Sequence, residues 1–82
     1  MSYGLLILRH AARQLAALPP ETYPEALNGI RQLAADPLPT NARKLVNREG
    51  WHLRLGEFRV IYEVNLPAAR VTVLDISRRS DV

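Results

Sequence analysis

One short stretch of the chain, Trp51 to Val64 (WHLRLGEFRVIYEV), carries His52, Arg54 and Arg59. A histidine exchanges protons near neutral pH, and guanidinium groups grip phosphate through two parallel hydrogen bonds. That set of residue types suits gripping a phosphate, with a neutral histidine beside it able to serve as a general base. The overall charge points the same way. Residues 43–82 carry the whole net charge of +3, while residues 1–42 balance to zero. Ten of the eleven basic residues are arginine, which favours an anionic partner such as nucleic acid over a general cationic surface. A solubilising surface is the plainer reading of the same composition.

Other classes of chemistry lose support on composition. There is no cysteine, which excludes disulfides and thiolate metal sites. The two histidines, His10 and His52, have no acidic cluster beside them, so neither a metal centre nor a cofactor is expected. No apolar run reaches the roughly 18 residues of a membrane helix, and the N-terminus lacks the layout of a signal peptide. A cytoplasmic protein without a membrane partner is the expectation. With 82 residues, of which 48% are hydrophobic, the chain reads as one small domain over residues 1–82.

The elements that would position the three cationic residues follow from periodicity. Tyr3 to Leu8 (YGLLIL) reads as a buried strand. His10 to Leu18 is rich in helix formers and is stopped by Pro19-Pro20. Thr22 and Glu25 have the spacing of a capping box, with Pro24 in the first turn. Tyr23, Ala26, Leu27, Ile30, Leu33 and Ala34 then recur at helical spacing up to Asp36-Pro37. Beyond the loop from Asp36 to Ala42 the period changes to two. Trp51, Leu53 and Leu55 alternate with His52 and Arg54, and Phe58, Val60, Tyr62 and Val64 alternate with Arg59, Ile61 and Glu63. Gly56-Glu57 between them is a hairpin turn, Asn65 to Ala69 is a second turn, and Arg70 to Ile76 is a β-branched strand. The expected class is α+β: an N-terminal strand, an αα-hairpin, then a three-stranded antiparallel meander, with the helices on one face.

A two-residue turn at Gly56-Glu57 fixes the pairs as Leu55–Phe58, Arg54–Arg59, Leu53–Val60, His52–Ile61 and Trp51–Tyr62. The large apolar residues then share the core face. His52, Arg54 and Arg59 share the opposite, open face, where the Arg59 side chain is expected to be exposed. Arg54 facing Arg59 is unfavourable without an anion between them. Arg78 and Arg79 follow the last strand and can reach the same face, while Arg43-Lys44-Leu45, with Arg48 beyond, forms a charged entrance to the sheet.

The stretch from Trp51 to Val64 resembles the signature hairpin of the RelE/ParE superfamily of toxins, typically yRlRvGdYRViYev. Leu15-Ala16-Ala17-Leu18-Pro19, Leu33 to Pro37 (LAADP), Lys44-Leu45 and Val73 to Arg79 (VLDISRR) fall where that family has matching segments. The resemblance implies the toxin of a bacterial type II toxin–antitoxin pair, with a RelB-like antitoxin as partner. For a RelE-like mRNA interferase it further implies ribosome-dependent, metal-free cleavage of mRNA in the A site by 2′-OH attack on the adjacent phosphate. On that mapping His52 is the base, Arg54 and Arg59 carry transition-state charge, and Arg78 lies on the leaving-group side. Arg43, Lys44, Arg48 and Arg79 would contact RNA. The tyrosine that closes the family's terminal motif has no counterpart in the sequence, and Ser77 stands where many relatives have histidine. Either the chain is shortened or its tail chemistry is weakened. The resemblance leaves open a ParE-like gyrase inhibitor and an inactive protein-binding module.

Overall fold

A computed structural model describes residues 2–78, so Arg79 lies outside the described residues. Seven elements follow in the order β1 (Gly4–Ile7), α1 (Arg9–Ala16), α2 (Tyr23–Gln32), β2 (Ala42–Lys44), β3 (Trp51–Leu55), β4 (Phe58–Asn65) and β5 (Arg70–Arg78). The strands form one five-stranded sheet in the order β1-β5-β4-β3-β2, with β1 parallel to β5 and the other pairs antiparallel. The α+β class and the placing of both helices on one face agree with the sequence reading. Ala11, Leu15, Ala26, Ile30 and Leu33 of the helical layer close over Leu53, Val60, Tyr62, Val71, Val73 and Ile76.

The β3–β4 hairpin has the expected register at all five pairs, from Trp51–Tyr62 to Leu55–Phe58. Gly56 makes the turn possible, because its φ of +60° is a conformation that a side chain would strain. β1 is not the buried strand the sequence suggested: Gly4, Leu5 and Leu6 are exposed, and only Ile7 is partly covered. Three further expectations need correction. Ala42–Lys44 is a strand, pairing with Leu53, His52 and Trp51, where the sequence suggested only a charged entrance. Three residues are too few to show alternation, so the strand has no periodic signal of its own. Thr22 makes no side-chain cap to α2 and has helical dihedrals (φ −89°, ψ −32°), so the capping box does not form. The N–H groups of Thr22 and Tyr23 are instead taken by the carbonyl of Pro19, in a turn that runs into the helix. Finally, α1 ends at Ala16, short of Leu18, with Ala17 and Leu18 in a tighter turn bonded to Gln14 and Leu15.

β1 stops at Ile7, and past that point the edge of β5 would be bare. α1 covers it. The Gln14 side chain accepts the Ile76 N–H at 2.7 Å and donates to Asp75 at 3.0 Å, and His10 reaches the same carboxylate at 3.1 Å. One glutamine thus continues the ladder that β1 began. Gln14→Ala leaves that N–H without a partner and is expected to cost about 1–2 kcal/mol in urea denaturation. Arg13→Ala, at the exposed neighbouring position, should move the midpoint little.

Candidate functional site: a cationic row on the open face

Strand alternation places the open-face residues in rows across the sheet. One row runs Arg43, His52, Ile61, and the next runs Arg54, Arg59, Ser77. His52, Arg54 and Arg59 therefore come together on the side away from the helices, as the hairpin register requires. Arg54 is exposed, whereas His52 and Arg59 are half-buried. The expectation of an exposed Arg59 is corrected here. Its Nε is buried and has no hydrogen-bond partner among the described residues. A buried guanidinium N–H without an acceptor is costly, and opposing Arg54 at a Cβ separation of about 5 Å adds like-charge repulsion. Both penalties vanish if an anion lies between the two side chains. Without an anion, Arg54→Thr should stabilise the fold by about 0.5 kcal/mol in thermal melts at low salt, with the gain shrinking as salt is added.

Arg43 occupies the row of His52, a proximity that only the unforeseen strand β2 creates. Its Nη1 is nevertheless tied to the carbonyls of Thr40 and Ala42, at 2.7 and 2.9 Å. Lys44 pairs with Trp51 on the helix-facing side, its Nζ 5.4 Å from the ring centroid, and so stands apart from the row. Arg48 sits in the exposed loop between β2 and β3.

Arg78 is the largest departure. It does not join Arg54 and Arg59. The register of β4 with β5 slips between Ile61 and Tyr62: Tyr62 opposes Val73, Ile61 opposes Asp75, and Leu74 is left over. From that bulge onward every residue of β5 changes face. Ile76 turns into the core, Ser77 falls beside Arg59, and Arg78 falls beside Phe58. The Arg78 guanidinium lies 5.1 Å from the Phe58 ring centroid and makes a 2.7 Å ion pair with Glu57. Unbroken alternation from Val71 and Val73 would have sent Arg78 to the open face.

Among the described residues no three His, Cys, Asp or Glu side chains gather as metal ligands, and no helix is long and apolar enough to cross a membrane.

The chain superposes on a chain of the archaeal RelE–RelB complex from Pyrococcus horikoshii OT3 with a TM-score of 0.87 and 27% identity, covering 100% of both chains. This chain has the RelE fold. A chain of the toxin–antitoxin complex RelBE2 from Mycobacterium tuberculosis matches with a TM-score of 0.83 at 23% identity, over 96% of this chain and 100% of that one. The E. coli RelE toxin, in a mutant form in the free state, matches at 0.75 and 19% identity, over 99% and 87%. No protein-family model and no curated protein matches the chain by sequence. The RelE likeness therefore lives in the backbone and in the pattern of the hairpin more than in overall identity.

Proposed function

We propose that this RelE-fold chain is the toxin of a toxin–antitoxin pair and a ribosome-dependent mRNA endoribonuclease that works without a metal. The observation that carries the reading is the buried, unpartnered Nε of Arg59 facing Arg54, with His52 one pair along the same open face. Neutral His52 takes the proton of a ribose 2′-OH. The O2′ attacks the adjacent phosphorus, and the five-coordinate phosphorane that forms is held by Arg59 and Arg54. The P–O5′ bond then breaks, leaving a 2′,3′-cyclic phosphate upstream, and the departing O5′ takes a proton from the imidazolium or from water. Arg78, ion-paired to Glu57 on the other side of the sheet, has no step in this scheme.

Orientation of the mRNA is left to the ribosome, since an open sheet face holding one cationic row does little to align a flexible strand. The toxin–antitoxin complexes among the similar structures support a RelB-like antitoxin as partner of this chain. Primer extension on mRNA tests the scheme. Cuts within codons should appear when ribosomes occupy them and disappear when ribosomes are withheld. Intact mRNA together with blocked DNA supercoiling by gyrase would transfer the chain to the ParE mode of action.

A further inference from the structure

β2 ends its pairing at Leu53, so the edge of β3 at Arg54 and Leu55 is not covered by a strand. Beside it, between β3, the loop before β2 and one side of α2, lies a cleft of about 360 Å³. That is within the size range of small-ligand sites, about 300–1,000 Å³. Its helical wall is Glu25, Asn28 and Gln32, three residues at i, i+3 and i+7, and Asn41 faces them from the loop. The floor is Leu53 and Leu55. Gly29 allows this close approach, since a Cβ there would lie 3.0 Å from Leu55.

Asn41 is partly engaged, donating to the Arg54 carbonyl at 3.4 Å. No hydrogen bond from the Asn28 or Gln32 side chain to another described residue is seen, so both amides are available to a ligand. A side-chain amide offers a donor and an acceptor side by side, which matches the edge of a nucleobase. Glu25 disfavours a phosphate inside the cleft and accepts from amino groups. Arg54 belongs to both features: it lines the cleft and opposes Arg59 on the cationic row. We infer that the cleft is a reading pocket for one unpaired nucleobase of an RNA whose backbone lies on Arg54 and Arg59. The inference rests on the proposed function and adds where base preference would reside.

Binding of short 2′-O-methylated homopolymers of A, C, G and U, which cannot be cleaved, separates the two ideas, with an abasic ribose-phosphate polymer as control. The full chain is expected to favour its best base over its worst by about tenfold, the size of one good base contact. Asn28→Ala and Gln32→Ala should each reduce that ratio to below about threefold while leaving the abasic polymer unaffected. Arg59→Ala should weaken all the polymers alike. Equal binding of the four bases, or a preference unchanged in both amide variants, overturns the pocket even if Arg59→Ala behaves as expected. A persisting, amide-dependent preference with no effect of Arg59→Ala upholds the pocket and removes the phosphate role of the row. Side-chain amide resonances of Asn28 and Gln32 that ignore RNA yet shift with a RelB-like antitoxin would assign the cleft to protein and overturn the pocket.

Discussion

Arg59→Ala is expected to slow cleavage of ribosome-bound mRNA by about a hundredfold, or about 3 kcal/mol of transition-state stabilisation. The figure is that of one charge-assisted contact to a developing anion, lost from a site that stays otherwise assembled. Stability should change by less than about 1 kcal/mol. The side chain is half-buried, so its stem is missed, but the opposed charge of Arg54 and the unpartnered Nε disappear with it. Arg59→Lys should recover only part of the rate, because an ammonium group keeps the charge without the planar pair of donors. Single-turnover rates at saturating protein, with melting curves for each variant, check both halves. A variant that cuts at the parental rate would take Arg59 out of the chemistry.

The second large effect belongs to Tyr62. Its ring is buried in the core and its hydroxyl donates to the Pro37 carbonyl at 2.7 Å, pinning the loop that leads to β2. Burial, with a smaller push from the Asp36 carboxylate, raises the phenol from 10.0 to about 12. Folding thus holds the proton more tightly than the unfolded chain does. The stabilisation is complete below pH 10 and is lost as the pH rises from 10 towards 12, a change of about 3 kcal/mol. Urea midpoints taken across that alkaline range should fall steeply for the parent protein. Tyr62→Phe should lower stability by about 1 kcal/mol at neutral pH and flatten the alkaline decline. An equally steep decline in that variant would place its cause elsewhere.

How far the sequence could be read depended on whether a signal was local. The β3–β4 hairpin was legible to the residue, because alternation on both arms and Gly56 in the turn all select one register. The cationic row followed at once, since it is only the other side of that alternation. Arg78 was not legible. Its side of the sheet depends on a single extra residue, Leu74, and the bulge carries no marker in composition. The partnership of Arg43 and His52 was hidden for a similar reason: it needs a three-residue strand, too short to show a period. Thr22 shows the opposite error, a local motif whose Thr22 N–H is claimed by the Pro19 carbonyl in the preceding turn.

The parallel pairing of β1 with β5 also governs when the protein comes into being. These strands stand at opposite ends of the described chain, and Gln14, which extends their seam, reaches a residue 62 positions away. Contacts of such long range raise the contact order, and the chain entropy lost in closing them is recovered only when both ends are present. The hairpin with Arg54 and Arg59 can form early from neighbouring residues, but the sheet that supports it cannot close without β5. Folding should accordingly be slow for so short a chain, with the seam between β1 and β5 formed late. A nascent chain still lacking β5 would have the cationic hairpin but no finished scaffold behind it, so full activity would be delayed until nearly all of the described chain is available to fold.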